Sequence, residues 1–312
     1  MNAQTLMLTA MPVGHTESCG TEAQTIPPRE TRSVAATRPK PRPAPLLRDR
    51  AKREKTALIL KTLLLPLLTF AVIVATWSYL HTHVAPEFPA PSETWEHAKA
   101  VLTDPFRDAG PNDKGIGWQL LHSLARVGAG FGLAALVGIP LGFLMGMSRN
   151  MQHAFSPLIQ ILKPVSPLAW LPIGLLLFKA VDPSAIFVIF ITCIWPMIIN
   201  TATGVKAIPQ DYMNVAAVLK LDKLELVRRV LFPATLPYVV TGMRLSLGIA
   251  WMVIVAAEML TGGIGIGFWL WDEWNNLNVS SIIVAIGVIG GVGIVLDLMM
   301  GFMQNRLDYN KR

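Results

Sequence analysis

Six long apolar runs, at residues 56–80, 118–147, 155–178, 181–204, 234–260 and 281–303, leave this chain little freedom in how it folds. Each is long enough to cross a bilayer as a helix. With 52% hydrophobic and 15% charged residues over 312 positions, and a mean hydropathy of +0.47, the chain is too apolar for an ordinary soluble domain. The expectation is an all-α polytopic membrane protein with six transmembrane helices.

The charges orient those helices. The tail at residues 1–55 carries Arg29, Arg32, Arg38, Lys40, Arg42, Arg48, Arg50, Lys52, Arg53 and Lys55 among Pro27, Pro28, Pro39, Pro41, Pro43 and Pro45. Its composition cannot bury a core, so it is expected to be disordered and held on the cytoplasmic side. Nucleic-acid binding is a poor fit, because no aromatic residue is interleaved with these cations. The segment 81–116 is acidic and suits an external loop. The basic loop with Lys206, Lys220, Lys223, Arg228 and Arg229 then falls inside, as do both termini, with 304–312 a cytoplasmic tail. Cys19 and Cys193, in the tail and in a span, imply neither a disulfide framework nor a metal site.

Between the fourth and fifth runs lies DYMNVAAVLKLDKLELVRRVLFPATLP, residues 211–237, a helix-forming basic segment. In a membrane protein a charged segment of this length presents a docking surface to something in the cytoplasm. Its two pieces are a helix from about residue 211 to 220 and a second, charge-rich one before Pro233.

Other patterns concern how the spans pack. The third run holds Pro157, Pro164, Pro167 and Pro172, so that helix must be kinked. Gly128, Gly132, Ala135, Gly142 and Gly146 fall on one side of the second span and invite close helix approach. Gly287, Gly290, Gly291 and Gly293 put glycine on several sides of the sixth, as for a helix enclosed by protein.

Ionisable residues inside spans are costly in hydrocarbon and must face protein or water. Arg244, Gly248, Trp251, Val255 and Glu258 form a stripe on the fifth span that has the look of a pathway wall. Arg126 and Lys163 would add positive charge to a passage for an anion. The plainer reading pairs Arg244 with Asp297 and Arg126 with Glu258, and lets Lys163 snorkel toward the inner interface. Arg126, Lys163, Arg244, Trp251, Glu258 and Asp297 are therefore the translocation-path candidates.

No G-x-x-x-x-G-K-[ST] phosphate cradle, H-E-x-x-H or G-x-S-x-G occurs, which disfavours an enzyme. His81-Thr82-His83 is a weak metal spacing and reads better as an interfacial pair. If ATP drives transport, its sites belong to other subunits.

The cytoplasmic segment resembles the motif of ABC importer permeases: E-A-A, three residues, Gly, nine residues, Ile, one residue, Leu-Pro. Here it stands as Asn214-Val215-Ala216, Lys220, Val230 and Phe232-Pro233, with Asn214 in place of the acid and Lys220 in place of the glycine. Residues 118–147, KPVSPLAWLP at 163–172 and TGMRLSLGIAWMVIVAAEML at 241–260 resemble the nitrate, sulfonate, taurine and bicarbonate permeases. GGIGIGFWLWDEWNN, residues 262–276, looks most like nitrate-type members, with the bicarbonate sibling close behind.

The resemblance implies a type I ABC importer permease fold over a core at 117–303 in the bacterial inner membrane. The implied partners are a second permease copy, two cytoplasmic ATPases, identical or different, and an external solute-binding protein. This chain would hold no cofactor, and ATP and Mg2+ would bind the ATPases. Asn214, Val215, Ala216, Ala217, Lys220, Val230 and Pro233 are the implied ATPase-coupling residues, within a coupling segment at 211–233. The expected cargo is nitrate, with nitrite, or alternatively bicarbonate or another small anion. From a different class, a self-contained secondary anion transporter stays open.

Overall fold

A computed structural model describes residues 45–110 and 114–307, and the tail at 1–44, with Cys19, lies outside them. The described chain is helical: α1 (Pro45–His83), α2 (Pro91–Thr103), α3 (Ile116–Met147), α4 (Arg149–Leu162), α5 (Leu171–Phe178), α6 (Val181–Lys206), α7 (Gln210–Val218), α8 (Lys223–Leu226), α9 (Phe232–Thr261), α10 (Ile266–Asn275) and α11 (Val279–Leu307). A 3-10 turn at Pro167–Trp170 leads into α5, and a π-helical turn at Val227–Leu231 joins α8 to α9. The chain divides after Leu64, and the packing below concerns the residues beyond it. α1 begins at Pro45, ahead of the expected boundary at Thr56, because the basic residues before the apolar run are themselves good helix formers.

The centre of the molecule is the contact of α3 with α6. Cβ atoms added at Gly130, Gly142 and Gly146 would collide with Ile189, Thr201 and Val205 in turn, and one at Gly138 would crowd Ile194 and Met197. Both helices present rows spaced four residues apart, 130–134–138–142–146 against 189–193–197–201–205, with Ala134 and Cys193 fully buried between the glycines. Such rows interdigitate when two helices cross along their i±4 ridges, and glycine lets the backbones close in. The expected glycine face was thus half right. Gly142 and Gly146 belong to it, but Gly128 and Gly132 meet nothing, since a four-residue row turns about 40° per step and a crossing partner follows it round.

Contacts fix the helix directions. The matching of 130 to 189 and 146 to 205 makes α3 and α6 parallel. α9 is antiparallel to α6: Cys193 and Ser246 exchange hydrogen bonds, and Gly204 meets Thr235 and Tyr238. α11 is antiparallel to α9, since Trp251 Nε1 donates to the Ile289 carbonyl and Arg244 meets Asp297. Two parallel spans require the chain between them to return across the bilayer. The third apolar run does so as a broken pair, α4 and the turn with α5, bent by 97°. A kinked single helix was expected, but Pro164 and Pro167 remove two amide donors within four residues and the helix stops altogether. Five other helices are long and apolar enough to span, so the six-crossing scheme stands among the described residues.

The stretch read as an external loop holds a helix, α2. Pro91 opens it and Glu93 turns back to accept from the Ala90 amide at 3.1 Å. His97 Nε2 and Ser281 Oγ, 2.7 Å apart, tie α2 to the start of α11. Beyond it, Lys114 Nζ donates to Asp108 at 2.7 Å and holds that carboxyl below its ordinary pKa. α1 is anchored at its far end, where Trp77 Nε1 donates to the Pro89 carbonyl and His81 bonds the Phe88 carbonyl. Gly287, Gly290 and Gly291 of α11 meet nothing, so the expected enclosure of that span is not found within one copy.

Candidate translocation path and coupling surface

Arg126, in the first half of α3, is the hub of a knot at the α2 end of the spans. Its Nη1 donates to Glu258 Oε1 and to the Ile264 carbonyl, each at 2.7 Å. Its Nε donates to Asp182 Oδ1 at 2.8 Å, and Nη2 lies 2.6 Å from the same oxygen. Glu258 Oε2 accepts from Ser123 Oγ at 2.8 Å and from the Gly267 amide at 3.0 Å. Ser123 Oγ accepts from the Ile266 amide, and Gln119 Oε1 accepts from the Gly265 amide at 2.6 Å. Arg126 is 7% exposed and Glu258 wholly buried.

The glycines of GGIGIG make this possible. Gly262 and Gly263, with φ of 76° and 94°, reverse the chain after α9. A Cβ at Gly265 would overlap the Glu258 carboxylate, and one at Gly267 the Val255 carbonyl. The segment that most suggested a nitrate-type permease is therefore the strap that closes over Glu258. All three guanidinium nitrogens are spent, and one cation sits between two carboxylates, so the knot offers an anion little. The predicted Arg126–Glu258 pair is present. Asp182 and the strap amides, its other partners, had no periodic signal in the sequence, because they meet only through the tertiary fold.

Arg244 and Asp297 form the other predicted pair, in a different setting. Nε donates to Oδ1 at 2.7 Å and Nη2 to Oδ2 at 2.6 Å, a two-pronged fork between α9 and α11. The side chains are 40% and 55% exposed. With Gly248, Trp251 and Gly293 they line a cavity of about 180 Å³. The stripe read as one pathway wall is therefore divided. Arg244 and Gly248 face the cavity, Trp251 lines it while 4% exposed, and Glu258 is turned into the knot. Lys163 caps α4, exposed at the bend before the 3-10 turn.

At the opposite end of the spans from the knot, α7 lies across the base of α3, α6 and α9. Phe143, Val205, Leu231 and Val239 form a separate small core there, with Met213 packed on it, and Ala216 is buried. α7 and the residue after it also leave large apolar side chains open: Tyr212, Val215, Val218 and Leu219 are 58–82% exposed. Asn214, Ala217 and Lys220 are exposed, while Val230 and Pro233 line a cavity of about 930 Å³ beside α7.

Lys220 stands where the motif has glycine, and the backbone shows why glycine suits the position. Its φ is 51°, its amide bonds the Ala217 carbonyl, and the Leu221 amide bonds that of Ala216, the hydrogen-bond pair of a Schellman stop. A side chain in this left-handed conformation costs about 1 kcal/mol relative to glycine. Lys220→Gly is accordingly expected to raise the melting temperature of the detergent-solubilised protein by a few degrees. A lower melting temperature would show that the lysine contributes something the backbone conformation does not.

Residues 138–309 match the family described as binding-protein-dependent transport system inner membrane component. Among curated proteins, the chain is 45% identical to the nitrate import permease protein NrtB of Synechocystis sp., over 83% of this chain and 94% of that one. It is 44% identical to the bicarbonate transport system permease protein CmpB of Synechococcus elongatus, over 78% and 88%. Among solved structures, an inward-facing conformation of the MetNI methionine ABC transporter superposes with a TM-score of 0.54 at 13% identity, over 62% of this chain and 95% of that one. The fold is that of the type I ABC permeases, and the chain belongs to the family of binding-protein-dependent transport system inner membrane components, within its nitrate and bicarbonate permease branch.

Proposed function

We propose that this chain is the transmembrane permease subunit of an ATP-driven nitrate importer, which also carries nitrite. The observation that carries this reading is the 45% identity to a nitrate import permease across nearly its whole length. The basic loop with α7 lies in the cytoplasm and the Arg126 knot near the external face, as the distribution of Lys and Arg favours. Two copies enclose the passage, and two cytoplasmic ATPases supply ATP and Mg2+ and dock on α7. An external solute-binding protein delivers the anion. A self-contained secondary transporter gains no support from a family that works with binding proteins.

Bicarbonate is the second reading, favoured by the 44% identity to a bicarbonate permease. Both anions are small, planar and monovalent, so a passage suited to one does not exclude the other. The test is uptake into proteoliposomes holding the permease, its ATPases and the binding protein. ATP-dependent accumulation of labelled nitrate, competed by nitrite and not by bicarbonate, is expected, with none from the permease alone. Bicarbonate uptake without nitrate uptake would transfer the assignment to the second reading.

A further inference from the structure

The two intramembrane ion pairs differ in one decisive respect. The Arg126–Glu258 pair is closed to solvent and saturated, whereas the Arg244–Asp297 fork is 40% and 55% exposed. Yet the fork lies deep in the spans. Arg244 stands about 18 Å of helical rise from the start of α9 and about 26 Å from its end. Charges half open at that depth cannot face hydrocarbon, so they border water or a second copy of the chain. The adjoining cavity of about 180 Å³ far exceeds the roughly 10–15 Å³ that admits one water. The third guanidinium nitrogen, Nη1, reaches Gln304 Oε1 at a long 3.3 Å, and Gln304 Nε2 donates to Thr241 at 3.2 Å. Thr241 and Gln304 in turn line the cavity of about 930 Å³ beside α7. A polar track thus runs from the α7 end of the spans to the fork.

A guanidinium edge binds planar forked oxygens, and the Asp297 carboxylate presents them in the arrangement that nitrate or bicarbonate would. We infer that the Arg244 guanidinium is an anion-binding site within the passage, that Asp297 fills it when no substrate is there, and that a planar monovalent oxyanion takes the place of that carboxylate during transport. The inference rests on the reading of the chain as a small-anion permease. Asp297 is then a tethered competitor. It keeps the cation from holding the cargo too tightly and spares an empty passage an unpaired charge. Gly301, whose added Cβ would lie 3.8 Å from the guanidinium, leaves the head group space to swing.

The test uses the complete complex of permease, ATPases and binding protein. The neutral pair Arg244→Gln with Asp297→Asn keeps the shape and removes both charges. It is expected to assemble normally and lose at least tenfold in nitrate uptake. A fork that merely ties α9 to α11 predicts uptake within about twofold of wild type, which would overturn the proposal. Asp297→Asn alone frees the guanidinium. Calorimetric titration of potassium nitrate into that complex, purified without the binding protein, should show binding at least tenfold tighter than wild type. Equal or weaker binding would also overturn it. Failure of the substrate reading looks different: a wild-type complex that imports bicarbonate and not nitrate, with the same two variant effects when bicarbonate is titrated, leaves the fork standing.

Discussion

Arg126→Gln is expected to destabilise the permease by about 3–5 kcal/mol, enough to abolish recovery of folded protein from the membrane, because it leaves the Glu258 carboxylate buried without its cation. The remaining donors to Glu258, Ser123 Oγ and the Gly267 amide, are neutral and cannot replace the guanidinium. Glu258→Gln alone strands Arg126 beside Asp182, which is 65% exposed and lets water share the charge, so its cost should be smaller. The double variant removes both buried charges and retains hydrogen-bonding groups of similar size. Its stability should return to within about 1.5 kcal/mol of wild type, the signature of strong coupling in a double-mutant cycle. Melting temperatures of the four proteins in detergent, with uptake by those that fold, decide the matter. If Arg126→Gln keeps full stability and loses uptake, Arg126 is a passage residue and the knot is not what holds α3, α6 and α9 together.

Much of the scaffold was legible in the sequence, because bilayer thickness turns apolar length into spans almost by arithmetic. Charge asymmetry and intramembrane ionisable residues were legible for the same reason, since hydrocarbon penalises both errors heavily. What escaped was everything set by geometry between elements. The glycine face of α3 was misjudged at Gly128 and Gly132, since it follows the crossing of α6 and not a straight line along one helix. α2 lies in a stretch read as a loop, and its opening by Pro91 and Glu93 is seen only in the structure. The strap from Gly262 to Gly267 was noticed for its resemblance. Its physical purpose, to bring amides onto Glu258 and Ser123, needs the third dimension.

The two ion pairs show how far sequence alone reaches toward the site. Each was foreseen as a pair, and each was also a candidate for the passage. Composition could not separate them, because Arg with a carboxylate reads the same in both. Burial separates them. A closed, saturated pair is paid for by the fold, while an open one needs water or a second copy beside it, and the Arg244–Asp297 fork adjoins a cavity.

The coupling surface gives the second large effect. Val215→Glu with Val218→Glu is expected to leave the permease folded and to eliminate co-purification of its ATPases. Both side chains are open in the single chain, at 58% and 82% exposure, so charging them breaks no internal contact. In the docked state each would bury an apolar side chain worth about 1.5–3 kcal/mol. Losing two amounts to at least about 3 kcal/mol, or more than about 100-fold in affinity, before any cost of burying the new charges. Ala216→Glu is the internal control. Ala216 is 5% exposed within the single chain, so charging it should lower the melting temperature of the permease itself. The motif alone grouped Val215, Ala216 and Ala217 as one coupling unit, whereas Ala216 is buried within the chain and Val215 and Ala217 are exposed, which leaves only the latter two free for the proposed docking. Size-exclusion and pull-down of the complex, beside thermal melting of the isolated permease, read the two effects separately. Intact ATPase binding by the Val215/Val218 variant would mean that α7 turns a different face to its partner, or that the ATPases dock elsewhere.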